Sequence, residues 1–239
     1  MNSTSTITAS AGGRLIVMLA AVFTVAMGYG VILPVLPFFL DQLQIEPGSF
    51  SVSWHTGMLT AMYMFALFVC APLWGYVSDR IGRRPVILTG FAGFAVTTAL
   101  FGLADNLWLT YPARALNGVF AAAVLPVSLA AIGDAPSSEQ RARGFAGLSA
   151  ANALGFLAGP SLNGILAYME PEMPLITALP AGPFAVSLFT VAILSAVVWV
   201  GIYFGFREPL AVRPHYVGPI AQPGRSQATI KLLFLTLLV

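Results

Sequence analysis

Charge is what this sequence has least of. Asp, Glu, Lys and Arg make up 8% of its 239 residues, against about 25% in an ordinary soluble domain. A fold in water cannot cover its surface with so few charged groups, which excludes soluble enzymes, disordered tails and nucleic-acid binders. The net charge of +2 is too small to mark a polyanion-binding patch. Cysteine is nearly absent as well. Cys70 stands alone, so an intrachain disulfide and a cysteine-rich metal site are excluded, and no metal is expected. Its place in an apolar run reads as a buried, inert thiol. Histidine occurs twice, as His55 and His215. Gly159-Pro160-Ser161-Leu162-Asn163 lacks the closing Gly of a Gly-x-Ser-x-Gly nucleophile turn, and neither histidine is placed to serve Ser161 as a base. His55, beside Trp54, reads as a solvated interfacial residue. No Gly-x-x-x-x-Gly-Lys-Ser/Thr loop occurs, so this chain carries no ATP-driven motor. No enzymatic activity and no cofactor are expected.

What is present is apolar. Hydrophobic residues are 58% of the chain and the mean hydropathy is +0.85, which leaves an integral membrane protein. A helix needs about 20 apolar residues to cross about 30 Å of hydrocarbon. Six runs meet that length: residues 15–40, 57–77, 86–104, 107–132, 144–169 and 181–206. The fold expected is all-α, with six membrane-spanning helices. The first run exceeds the apolar region of about 7–15 residues in a signal peptide and only Arg14 precedes it as a positive charge, so it reads as an uncleaved helix. Residues 1–13, rich in Ser and Thr, read as a disordered tail. Residues 207–230, rich in Pro, Gly and Arg, read as a linker, and 231–239 as the start of a seventh helix cut short.

The eleven basic residues set the orientation. Arg14 precedes span 1. Arg80, Arg83 and Arg84 follow span 2, Arg141 and Arg143 follow span 4, and Arg207, Arg213, Arg225 and Lys231 follow span 6. The connections after spans 1, 3 and 5 have none, and carry Asp41, Glu46, Asp105, Glu170 and Glu172 instead. Ten of the eleven thus fall on one side, which the positive-inside rule makes cytoplasmic together with the N-terminus. The exception is Arg114, roughly 12 Å into span 4 at about 1.5 Å per residue. A mid-membrane arginine costs at least about 2.5–3.5 kcal/mol. It is either a structural cation bonded to backbone carbonyls or a cavity cation. No Asp, Glu or Lys lies deep in any span. Asn117 and Asn152 in spans 4 and 5, and Tyr29 in span 1, suit either a substrate contact or a bond between helices.

A short internal repeat is visible. Span 1 contains Gly28-Tyr29-Gly30-Val31-Ile32-Leu33-Pro34, and span 4 contains Gly118-Val119-Phe120 followed by Pro126. Each opens a three-helix set, and because three is odd the sets insert in opposite directions. Gly/Pro-interrupted helices at corresponding positions of inverted repeats point to a transport site. The turn between spans 2 and 3 carries Gly75-Tyr76-Val77-Ser78-Asp79-Arg80-Ile81-Gly82-Arg83-Arg84. Gly82 supplies the backbone freedom of a tight turn, and an acid paired with arginine across it is electrostatically favourable. Membrane topology accounts for the arginines but not for the Gly-x-x-x-Asp-Arg-x-Gly-Arg-Arg spacing.

That spacing resembles the signature loop of the major facilitator superfamily at each defining position. Asp134 to Arg141 resembles the family's loop after helix 4. Arg114-Ala115-Leu116-Asn117-Gly118 resembles its Arg-x-x-Gln-Gly motif, with Asn for Gln. Gly155-x-x-x-Gly159-Pro160-x-x-Asn163-Gly164 resembles the Gly-x-x-x-Gly-Pro-x-x-Gly-Gly motif of its drug:proton antiporters, with Asn163 for the first Gly of the closing pair. The likeness runs from about residue 14 to 206 and is closest in arrangement to tetracycline-type and multidrug exporters.

The resemblance implies the N-terminal six-helix half, residues 14–206, of a secondary active transporter that exports drugs by proton antiport with alternating access. Spans 1, 2, 4 and 5 would line its half of the cavity, with Tyr29, Pro34 and Asn152 as cavity residues. Asp79, Arg83 and Asp134 would form an ion cluster stabilising the outward-facing state, with Gly75, Arg80, Gly82, Arg84 and Arg141 in the same switch region. Arg114, Asn117 and Gly118 would couple proton and substrate. Gly155, Gly159, Pro160 and Gly164 would close the cavity. The partners implied are the lipid bilayer, a small lipophilic substrate, protons and a C-terminal six-helix half from the same or a second chain, with no nucleic acid. The place implied is the bacterial inner membrane. Two other readings fit the same residues: an inactive or partner-requiring half-transporter fragment, and a family importer of small metabolites.

Overall fold

The computed structural model describes residues 3–43, 50–169 and 182–205. The chain divides into two units, Met1–Glu208 and Pro209–Val239. The second unit lies outside the described residues, as do the whole of the expected linker 207–230 and the run 231–239. His215 and the acids Glu46, Glu170 and Glu172 lie outside them too.

The described residues form seven helices and no strand. They are α1 (Ser3–Gln42), α2 (Val52–Ile81), α3 (Arg83–Gly102), α4 (Leu107–Ala121), α5 (Leu125–Gly133), α6 (Ser138–Met169) and α7 (Gly182–Gly205). Six stretches are long and apolar enough to cross a membrane: Leu15–Asp41, Val52–Ile81, Arg83–Gly102, Leu107–Gly133, Ser138–Leu166 and Phe184–Phe204. They coincide with the six sequence runs to within a few residues. One difference is at the start. α1 runs back to Ser3, through the stretch read from sequence as a disordered tail, because no proline breaks its hydrogen-bond ladder before Pro34.

The second difference is inside span 4, which the sequence presents as one run. It is two helices, α4 and α5, separated at residues 122–124. Pro126 has no N–H to give to the Ala122 carbonyl, so the regular ladder cannot pass this point. The chain tightens instead: the Ala123 N–H bonds the Phe120 carbonyl and the Val124 N–H bonds the Ala121 carbonyl, both at 3.1 Å. α2 and α4 are capped at their N-termini by side chains. Ser51 Oγ accepts from the Trp54 N–H at 3.3 Å, and Asn106 Oδ1 accepts from the Leu109 N–H at 2.9 Å.

α1 packs most extensively on α6, α3 on α7 and α4, and α2 on α4. Two apolar clusters fill the bundle. One holds Leu36, Phe39, Leu59, Phe101 and Phe184; the other, nearer the arginine-rich end, holds Val22, Val86, Phe91, Val124 and Ile202. Two buried hydroxyls turn back on their own helices, Thr24 to the Ala20 carbonyl at 2.8 Å and Ser195 to the Val191 carbonyl at 2.7 Å, as an apolar surrounding requires. Two indoles cross between helices: Trp74 donates to the Val119 carbonyl at 2.7 Å and Trp199 to the Leu88 carbonyl at 3.0 Å. α2 and α6 are the least buried spans and expose Phe65, Phe68, Leu73, Leu154 and Leu157. Cys70, expected to be buried, is half-buried on α2.

Candidate functional site

The α2–α3 connection is a single residue. Gly82 closes α2 and opens α3 with φ 100° and ψ 160°, a left-handed conformation that disfavours any residue with a Cβ. Reversing the chain this tightly brings Arg83 back alongside the last turn of α2. Its Nη1 lies 2.6 Å from Asp79 Oδ1 and donates to Ser78 Oγ at 2.5 Å, while its Nε reaches Asp134 Oδ2 at 3.4 Å. Ser78 Oγ in turn donates to the Gly75 carbonyl at 2.8 Å. Arg83 is therefore the hub that joins the end of α2 to Asp134, the residue capping α5. The two carboxylates are mostly exposed, and exposed ion pairs contribute about 0–1 kcal/mol each. Such a tie is easily broken.

The other charged residues of the motif do different work. Arg84 donates to the Tyr203 carbonyl and lies over the Tyr203 ring, fastening α3 to the end of α7. Arg80 stacks on Tyr76 with its Cζ 4.3 Å from the ring centroid. Arg141 donates to the Ala135 carbonyl at 2.8 Å, closing the α5–α6 turn. A Cβ on Gly75 would meet nothing within 4 Å, so steric need does not account for that glycine.

The mid-membrane group is built from four spans. Arg114 on α4 is wholly buried, and its Nε, Nη1 and Nη2 have no hydrogen-bond partner. Its Cζ lies 4.1 Å from the centroid of Tyr63 on α2 and 5.7 Å from that of Tyr29 on α1. The two tyrosine rings stack on each other at 5.3 Å, and Phe156 on α6 lies 5.8 Å from Tyr29. A desolvated cation–π contact contributes about 2 kcal/mol, whereas an uncompensated buried charge costs about 3–5 kcal/mol. Two such contacts offset much of that cost, but they leave every N–H of the guanidinium without an acceptor among the described residues. Of the two alternatives left by the sequence, bonding to backbone carbonyls is not observed.

Its motif neighbours turn elsewhere. Asn117 is buried against α3, where its amide donates to Thr98 Oγ1 at 2.9 Å and Thr97 Oγ1 at 3.3 Å. Gly118 faces α2, and a Cβ there would stand 2.6 Å from the Tyr63 carbonyl oxygen. It is what lets Tyr63 approach Arg114. Pro34 and Asn152 are exposed and join no part of this group.

The α1–α6 seam carries the span 5 motif. A Cβ on Gly155 would collide with the Phe23 carbonyl, and one on Gly159 with the Gly30–Val31 peptide. Gly30 faces back, its own Cβ position 2.5 Å from the Phe156 carbonyl oxygen. Helices this close meet backbone to backbone. A Cβ on Gly164 would meet nothing within 4 Å, and Pro160 is exposed.

Three features escaped the sequence reading. Asn163, noted there only as a departure, donates to the Val31 carbonyl at 2.6 Å and pins α6 to α1 beside Pro34. Tyr63 was not singled out at all, because no local pattern distinguishes it from the apolar residues around it. His55 is not solvated: it is buried, with Nδ1 2.7 Å from the Tyr111 hydroxyl of α4 and Nε2 without a partner. Trp54, perpendicular to it at 5.2 Å, shields it from water.

These observations describe an all-helical, multi-pass membrane bundle with a charged, ion-paired turn at one end and a buried cation at its middle. The chain belongs to the Major Facilitator Superfamily, whose family model matches residues 18–235. Tetracycline resistance protein, class C, of Escherichia coli is 37% identical over 164 residues, 69% of this chain and 40% of that protein. The class B protein of Escherichia coli is 32% identical over 212 residues, 89% and 49% of the two chains. Quinolone resistance protein NorA of Staphylococcus aureus is 28% identical over 180 residues, 75% and 45%. The chain thus spans less than half the length of these relatives. Two solved structures share the fold. A human organic anion transporter superposes with a TM-score of 0.61 at 21% identity, covering 81% of this chain and 47% of that one. A peptide transporter superposes with a TM-score of 0.67 at 13% identity, covering 94% and 44%.

Proposed function

We propose that this chain forms one six-span bundle of a secondary active exporter of small lipophilic drugs, driven by proton antiport through alternating access. The observation that carries the reading is Arg83 held between Asp79 and Asp134 at the α2–α3 turn. An exposed ionic tie between the ends of two spans holds one state, and motion of either span releases it at small cost. The resistance proteins to which the chain is similar support drugs as the cargo. The arginine-rich end faces the cytoplasm in this reading, in a bacterial inner membrane. A second six-helix bundle, from the same or another chain, completes the pathway against the apolar faces of α2 and α6.

Proton coupling needs a titrating group. The described acids Asp41, Asp79, Asp105, Asp134 and Glu139 all stand at helix ends or between helices, and in this reading Asp79 and Asp134, or an acid of the second bundle, supply it. The test is efflux of tetracycline and of a lipophilic dye against their gradients, with and without a protonophore. Collapse of both on adding the protonophore is expected. Uphill efflux that persists would refute proton coupling.

A further inference from the structure

Arg114 is a full positive charge in the middle of an apolar bundle, and nothing among the described residues neutralises it. Its Nε, Nη1 and Nη2 find no acceptor, and the described acids lie at helix ends. Tyr63 and Tyr29 offer ring faces, which attract the charge from one side but accept none of the in-plane N–H groups. A planar fork with unfilled donors is the geometry that pairs with a carboxylate through two parallel hydrogen bonds. The rings form a layered wall. Tyr63 is buried, Tyr29 is half-buried, and Phe156 is exposed on α6. Between the guanidinium and the open face of α6 stand the Tyr29 and Phe156 rings, which themselves suit the flat body of an aromatic ligand.

We propose that Arg114 and this aromatic wall recognise an anionic group on the transported molecule, a carboxylate carried on an aromatic body, and disfavour lipophilic cations. The proposal rests on the reading of the chain as part of an exporter and names the substrate class of that exporter. In a low-dielectric site an uncompensated cation attracts an anion and repels a cation far more strongly than it does in water. A ligand carboxylate satisfies the donors that the rings leave open. A lipophilic cation of the same shape gains the same ring contacts and loses to the charge.

The test is equilibrium binding of two isosteric probes, 1-naphthoate and 1-naphthylmethylammonium, to the 239-residue chain in nanodiscs of a zwitterionic lipid. Naphthoate is expected to bind at least tenfold more tightly than the ammonium. Arg114→Gln is expected to erase the preference and Arg114→Lys to keep part of it. Should Arg114→Gln fail to fold, phenylglyoxal modification of the unaltered chain gives a second reading by mass spectrometry: naphthoate is expected to slow modification of Arg114 at least threefold, and the ammonium to leave it unchanged. Equal binding of the two probes, no binding of naphthoate, or no protection of Arg114 overturns the proposal. The carboxylate has one other source, an acidic side chain of a second bundle. If adding that bundle abolishes naphthoate binding, the carboxylate is the bundle's own and the substrate reading falls. Neither measurement depends on transport. Selective binding without efflux refutes the export reading alone, and efflux without selective binding refutes only this one.

Discussion

Replacing Gly159 by alanine puts one methyl group where two helix backbones touch. The added carbon would stand 2.7 Å from the Met27 carbonyl oxygen and closer still to the Gly30–Val31 peptide, whereas carbon atoms at rest sit about 3.5–4.0 Å apart. Every atom in the way is backbone, so no rotamer change relieves the clash, and α1 and α6 must part by roughly an ångström. A gap of about 0.5–1 Å forfeits a quarter to a half of each dispersion contact along the seam. Overpacking of this kind costs about 1–3 kcal/mol, and with backbone on every side the upper half of that range applies. Alanine recovers about 1 kcal/mol of helix propensity over glycine, leaving a net loss of about 1–2 kcal/mol. Gly164→Ala is the control. Nothing lies within 4 Å of a Cβ there, so only the propensity gain remains, although both glycines belong to one motif.

The assay is thermal unfolding of the purified chain in detergent, followed by tryptophan fluorescence. For a chain of this size about 1 kcal/mol moves Tm by 2–4 °C. Gly159→Ala should therefore melt about 2–8 °C lower, and Gly164→Ala at the same temperature or a few degrees higher. Equal destabilisation by the two variants, or an unchanged Tm for Gly159→Ala, would sink the claim that α1 and α6 meet backbone to backbone at this point.

Asp79→Asn removes one carboxylate from an exposed pair, so Tm should hold within about 2 °C while efflux falls severalfold; full efflux by a correctly inserted variant would show that the cluster is no switch. Asn117→Leu deletes two hydrogen bonds to α3 and should lower stability by about 0.6–2 kcal/mol, read as a fall in Tm, and an unchanged Tm would mean that Thr97 and Thr98 do not hold the amide. Tyr111→Phe leaves both ring nitrogens of His55 without a partner, at a cost of about 1–3 kcal/mol, and His55→Phe in the same background should recover most of it. Failure of that second substitution to rescue would place the defect elsewhere.

The six spans were legible because their signal is local: about 20 apolar residues in a row is a property of a segment, not of its neighbours. The charged ends were legible for the same reason. Gly82 could be assigned its turn because the residues on both sides leave room for no longer one. The contents of the membrane interior were harder. Asn117 and Tyr29 look alike in sequence, as polar groups inside spans, yet one bonds α3 and the other faces a guanidinium. The difference is the rotation of each helix, which six uniformly apolar segments do not encode as a pattern. His55 was misplaced because its burial depends on Tyr111, 56 residues away. The break in span 4 was half-visible. Pro126 was noted as part of a repeat, but a proline in a membrane helix either kinks it or divides it, and neighbouring helices decide which.

The break and the salt bridge belong to one argument. α4 is held by two neighbours: by α3, through Asn117, and by α2, through the close approach of Gly118 to Tyr63 and the bond of Trp74 to the Val119 carbonyl just before the break. α5 is nine residues long and carries Asp134 at its far end. With the ladder interrupted at residues 122–124, tilting α5 does not require moving α4, and so does not disturb the contacts that enclose Arg114. Asp134 and Arg83 are joined at 3.4 Å near water, where an exposed pair is cheap to part. α1 and α6, by contrast, touch through backbone that has no alternative packing. In the proposed export cycle the exposed Arg83–Asp134 tie is the contact whose loss costs least, whereas parting α1 from α6 would separate helices that meet backbone to backbone.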